Sequence, residues 1–138
     1  MDKAKVFFTK EISPESLQKI YEALGVTLYG KIGVKVSTGE DGAKGYLKAD
    51  LIGPFVKNLN GTIIECNTAY GGARNKASDH LKVAEKHGFT SFAEVDIMDA
   101  DGDKKSPSIT ANISNTTSLA TISTAMIPLS TSHMAKVT

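Results

Sequence analysis

The chain is 138 residues long, carries a net charge of +1 at neutral pH, and is 41% hydrophobic and 22% charged. That length suits one domain of ordinary size, and the near-neutral balance removes the electrostatic case for a nucleic-acid or anionic-membrane partner. A single cysteine, Cys66, excludes an intrachain disulfide and any zinc or iron–sulfur site built on several thiolates, and it suits a reducing cytoplasm.

Met1–Ile12 holds an apolar run too short for a signal peptide or a membrane span. Within it, Lys5–Lys10 (KVFFTK) reads as a short strand. Ser13-Pro14-Glu15-Ser16 is a helix start, with Ser13 as N-cap, Pro14 in the first turn and Ser16 placed to assist the cap. Leu17, Ile20, Tyr21 and Leu24 follow at helical spacing, and Gly25 stops the helix. Lys31–Ser37 reads as a second strand. Leu47–Leu59 reads as a second helix, with Leu51, Ile52, Phe55, Val56 and Leu59 on one face and Pro54 as a kink or a late start. Thr62–Asn67 is a third strand, Asn75–His87 a third helix with Leu81, Val83 and Ala84 toward the core, and Phe92–Met98 a fourth strand. The order β-α-β-α-β-α-β with short connections predicts an α/β fold: an open, mostly parallel sheet of about four strands with helices packed against it.

Ligands of open α/β sheets bind beyond the carboxyl ends of the strands, which makes the loops there the site candidates. After the second strand, Ser37–Leu47 (STGEDGAKGYL) supplies flexible backbone at Gly39, Gly42 and Gly45, anion-binding groups at Ser37, Thr38 and Lys44, and a carboxylate at Glu40. Its spacing matches neither a Walker loop nor the dinucleotide fingerprint, and a plain turn-rich connection is the competing reading. After the third strand, Glu65–His80 (ECNTAYGGARNKASDH) ends the strand at Asn67 and Thr68, offers backbone for close approach at Gly71-Gly72, and sets Arg74 before a helix as a carboxylate or phosphate clamp. The competing reading is a simple turn with a solvated Arg74. Cys66 suits a small buried hydrophobe better than a nucleophile. His80 and His87 read as surface or packing residues of the third helix, with no second metal ligand nearby. After the fourth strand, DIMDADGDKK resembles a calcium loop, but Gly102 falls in the wrong place and no Glu follows, so a tight Asp-Gly turn is the simpler reading.

Four stretches, AKVFFTKEISPESLQKIYEALG, KVSTGEDG, LIGPFVKNLNGTIIECNTAYGGAR and HLKVAEKHGF, together resemble the N-terminal part of the domain of unknown function 362 family, over about Ala4 to Asp103. On that resemblance Lys35, Thr38, Gly39 and Glu40 match the family's first loop, and Glu65, Asn67, Thr68, Gly71, Gly72, Arg74 and His80 its second. The resemblance implies a bacterial or archaeal, mostly cytosolic protein with no assigned reaction. It also implies a ferredoxin-type [4Fe-4S] segment in many full-length relatives, though no cofactor is expected in this chain.

The composition breaks after Asp103. All glycines and all acidic residues lie at or before that point, whereas 14 of the 33 residues from Ser106 onward are Ser or Thr. This divides the chain into an α/β domain at residues 1–104 and a Ser/Thr-rich tail at 105–138. The family continues instead with stretches like IPV…GGKHLKE…VGSHFANYD and LSHFKGH. Read from each third codon base, Ser118–Ile127 permits V-G-N-H-F-N-S-Y-D, and Thr131–Thr138 permits L-S-H-G-K-G-H. The tail therefore reads as a frameshift near residues 104–106, with an ordinary Ser/Thr-rich segment as the alternative, and its apolar residues make it either irregular or an addition of β structure. The resulting expectation is a cytoplasmic α/β protein, truncated and inactive, that retains a remnant site for a small anionic ligand. Its residues are Lys35, Thr38, Gly39, Glu40, Asn67, Thr68, Gly71, Gly72 and Arg74. Two other readings are the scaffold part of an iron–sulfur redox protein, and a structural fragment that forms homo-oligomers through an exposed sheet edge.

Overall fold

A computed structural model describes residues 4–107 and 116–120, the last five residues of the first range and all of the second by backbone path alone. The stretches 108–115 and 121–138, which carry most of the proposed out-of-frame tail, lie outside the described residues. In chain order the elements are α1 (Pro14–Leu24), β1 (Gly33–Lys35), α2 (Ala49–Asn58), β2 (Thr62–Glu65), α3 (Ala77–Lys86), a 3-10 turn at Phe89–Ser91, β3 (Val95–Ile97), β4 (Asp103–Pro107) and β5 (Thr116–Ala120). β1, β2 and β3 form a parallel sheet in that order, and β4 and β5 form a separate antiparallel pair. This is the α/β fold that the alternating elements predict.

The parallel sheet has three strands rather than four. Lys5–Lys10 makes no ladder, and Val6 and Phe8 stand 89% and 81% exposed. β-propensity measures fit to a half-buried pleated surface, and without a pairing partner it builds nothing. The last predicted strand is shortened to Val95–Ile97 because the Phe92 and Ala93 N–H groups donate back to the Phe89 carbonyl and prolong the turn at Phe89–Ser91, where Phe89 sits fully inside the core.

α1 starts as its sequence dictates. The Ser13 hydroxyl accepts from the Ser16 N–H at 3.1 Å and the Ser16 hydroxyl accepts from the Ser13 N–H at 3.1 Å, a reciprocal capping box. The helix ends at Gly25 and packs on α2, where Tyr21 meets Phe55 edge-to-face with ring centroids 5.5 Å apart. α2 runs through Pro54, which cannot donate to the carbonyl four residues back. The helix persists because Ile52, Phe55 and Val56 on its inner face are buried against Val34, Val36 and Ile63 of the sheet region. Each large apolar side chain so buried contributes about 1.5–3 kcal/mol, enough to offset one poor helix former.

Strand parity then aims the polar end of β2. Gly33 pairs with Thr62 and Val34 with Ile63, while Ile63 pairs with Val95 and Glu65 with Ile97. Side chains alternate along a strand, so Glu65 shares the face of Ile63, the face covered by the helices. A carboxylate is thereby driven under α3 at the carboxyl end of the central strand. Among the described residues no helix is long and apolar enough to cross a membrane.

Gly53 shows packing overriding helix propensity. A methyl at this α2 position would overlap the Phe92 ring. Gly53→Ala, favoured by about 1 kcal/mol on propensity alone, is expected instead to destabilise by about 1–3 kcal/mol. Urea unfolding checks the sign, and a more stable Ala variant would refute this account of the α2–Phe92 contact.

Candidate functional site

At the centre of the site is the Glu65 carboxylate, 5% exposed. Its Oε2 accepts from the Thr38 backbone N–H at 2.8 Å and from the Thr38 hydroxyl at 2.7 Å. His80 Nε2 lies 3.1 Å from the same oxygen and 2.9 Å from the Thr38 hydroxyl. Because the single hydroxyl proton of Thr38 goes to the carboxylate, the network assigns Nε2 as a donor to Glu65. The other oxygen, Oε1, accepts from Arg74 NH1 at 2.9 Å, with Lys35 Nζ at 3.7 Å. Burial pushes the Glu65 carboxyl up, but the His80 hydrogen bond, the Thr38 N–H and hydroxyl, and the Lys35 charge together outweigh it. They hold the group at about 2, against an ordinary 4.5.

His80 reaches this position because α3 turns one stripe inward. His80, Val83 and Ala84 are its buried residues, and His87 continues the stripe one turn on. Leu81, expected toward the core, is 39% exposed. His80 is fully buried and its Nδ1 lies 3.4 Å from Asn67 Oδ1. His87 donates from Nδ1 to the Thr38 carbonyl at 2.7 Å and stacks on Tyr46 at 4.1 Å between centroids. Lys48 lies 3.7 Å over the other partner in that stack, the Tyr46 ring. Both ends of the glycine-rich loop are thus pinned, at Thr38 and at Tyr46. Gly39 has φ +81°, and a Cβ there would lie 2.6 Å from the Tyr46 ring, so only glycine passes this point.

Arg74 bridges the buried carboxylate to the surface. Its Nε and NH2 each lie 2.8 Å from Glu40 Oε1, and NH2 also reaches the Tyr70 hydroxyl at 3.3 Å. Tyr70 donates to that same Glu40 oxygen at 3.0 Å. Burial disfavours the guanidinium charge, and the Glu40 hydrogen bond with the Glu65 and Glu40 charges more than restores it. The Arg74 hydrogen bond, against desolvation, keeps the Glu40 carboxyl below its usual range. Far from being solvated, Arg74 is 6% exposed with two carboxylates already on it.

The structure therefore gathers Lys35, Thr38, Glu40, Asn67 and Arg74 around Glu65. Thr68 closes the neighbouring loop, its N–H donating to the Arg74 carbonyl at 2.9 Å and its hydroxyl to the Tyr70 carbonyl at 3.2 Å. Gly71 and Gly72 lie exposed at the mouth, with Gly72 beside Glu40 Oε2. The Asp-rich segment closes as a turn, Gly102 N–H to the Asp99 carbonyl at 3.1 Å, while Asp99 Oδ1 accepts from the Asn67 N–H at 2.8 Å. Among the described residues no group of three or more His, Cys, Asp or Glu is placed to hold a metal ion. The composition and spacing of the loops did not single out Tyr70, Asp99 or the roles of Glu65 and His80. The signals were a carboxylate in phase with Ile63 and a His80–Ala84–His87 stripe. No protein-family model, curated protein or solved structure matches the chain.

A carboxyl held at about 2 when folded and near 4.5 when unfolded stabilises the protein fully above about pH 4.5 and loses that contribution as pH falls toward 2. The loss across that window is about 3 kcal/mol. Glu65→Gln is expected to remove this acid dependence and to cost about 3–5 kcal/mol at neutral pH, because Arg74 loses its buried counter-charge and the Thr38 and His80 donors lose an ionised acceptor. Chemical unfolding of both proteins at a series of pH values checks this, and parallel pH curves would refute it.

Proposed function

We propose that the carboxyl edge of the β1–β2–β3 sheet binds a small anionic molecule, as the remnant of a larger site, and that this chain binds without turning its ligand over. The observation that carries this reading is Arg74, a buried guanidinium anchored from behind by Glu65 and held at its outer edge by Glu40 of a surface loop. Gly71 and Gly72 offer exposed backbone in the loop before Arg74, and the partly exposed Lys35 lies 3.7 Å from the same Glu65 oxygen that Arg74 binds. A guanidinium fixed in orientation and set among loops at strand ends suits planar recognition of a carboxylate or phosphate. Titration with phosphate or acetate at constant ionic strength is expected to shift the backbone amide signals of Gly71, Gly72 and Arg74. Unmoved signals at all three would end the reading.

The same proposal treats the tail as out of frame, supported by the loss of every glycine and acidic residue after Asp103, and sets the protein in the cytoplasm. The coding DNA is expected to carry an open alternate frame from about codon 104 that encodes the histidine-containing stretches. Stop codons or unrelated residues in that frame would refute the frameshift.

A further inference from the structure

Arg74 meets its two carboxylates in different ways. Glu65, with its side chain 6% exposed, takes NH1 in the interior. Glu40, with its side chain 34% exposed, takes the outer edge, and there a single oxygen, Oε1, receives both Nε and NH2 at 2.8 Å. Oε2 takes no part in these bonds. A guanidinium edge is a two-donor fork that matches two oxygens in parallel, so Glu40 occupies it without filling it.

The loop that carries Glu40 is exposed between two fixed ends. Its ends are pinned at Thr38 and Tyr46, as described above. Between them Asp41, Gly42, Ala43 and Lys44 are exposed, and Gly42 has φ +76°. The tip is held by the Glu40 contacts with Arg74 and with the Tyr70 hydroxyl, and by an exposed Asp41–Lys86 ion pair. An exposed pair of that second kind contributes little. None of these tip contacts involves Thr38, Glu65 or His80. Charge narrows what can replace Glu40. Lys35, Arg74, Glu40 and Glu65 sum to zero, and one monoanion in place of Glu40 keeps that balance. A phosphate dianion would leave an extra negative charge close to a buried carboxylate, which is costly in a site of low dielectric.

We infer that Glu40 is a built-in, displaceable occupant of the Arg74 fork, and that the ligand replacing it is a small monocarboxylate whose two oxygens take the Nε and NH2 donors. This deepens, and rests on, the anion-site reading above. The Tyr70 hydroxyl, which now donates to Glu40, is placed to donate to the incoming carboxylate. Glu40 then sets both affinity, by competing, and ligand class, by defining the charge the site accepts.

Arg74 is the chain's one arginine, so its Nε–H gives a single side-chain signal in a nitrogen–proton NMR spectrum of the full chain. Acetate and inorganic phosphate are titrated separately at constant ionic strength into the parent protein, Glu40→Ala and Glu40→Gln. The expected result is a shift of that signal by acetate, with a Kd about tenfold lower in Glu40→Ala and intermediate in Glu40→Gln, which keeps an acceptor oxygen without charge. Phosphate is expected to gain less than acetate. Equal acetate affinity in the parent and both variants would overturn the occupant role while leaving the anion site standing. A gain for phosphate without one for acetate would overturn the carboxylate assignment. No shift of the Nε–H or of the Gly71 and Gly72 amides in any of the three proteins would remove both the inference and the reading beneath it.

Discussion

The organisation of this protein turns on one buried carboxylate. β2 runs through Ile63 and Ile64 to its last residue, and strand alternation points Glu65 to the covered face of the sheet. Left alone there, an ionised carboxylate would cost several kcal/mol. Three segments meet that cost: the loop after β1 through the Thr38 N–H and hydroxyl, α3 through His80, and the loop after β2 through Arg74. Distant parts of the chain are thus locked together at the sheet edge by donors that converge on two oxygens. The apolar core of Val34, Ile52, Val56 and Ile63 supplies much of the gross stability, but it has no direction of its own. Glu65 determines where the loops go.

The same guanidinium serves two carboxylates in opposite settings. Toward the interior, Arg74 and Glu65 form a desolvated pair whose disruption would strand a charge. Toward the surface, Arg74 and Glu40 form a pair that water and ions can reach. Identical chemistry is therefore buried at one end of the guanidinium and partly exposed at the other. The difference lies in burial and in the backbone that carries each acid, a strand end for Glu65 and a glycine-bounded loop tip for Glu40.

Much of the architecture was legible in local pattern. The Ser13–Ser16 start of α1, the apolar face of α2 and the short β2 run are all decided by neighbours in sequence. The two loops were recognisable from glycine spacing and strand-end position, and four of their named side chains, Thr38, Glu40, Asn67 and Arg74, do gather around Glu65. Lys5–Lys10 misled because a strand is defined by a partner, which local propensity does not supply. His80 was hard to place because helical periodicity identifies an inward stripe only when its residues look apolar, and a histidine satisfied by a buried carboxylate does not.

By itself, then, the sequence determined the α/β class, the order of the elements from α1 to β3, the position of the glycine-bearing loops at the strand ends, and a break in composition at Asp103. These follow from interactions between residues a few positions apart. Only the tertiary structure decided that Glu65 is the hub, that His80 is interior, and that Arg74 already holds Glu40. Each of those contacts joins residues 9 to 42 positions apart, and the burial and hydrogen bonding that define them exist only once the sheet has formed.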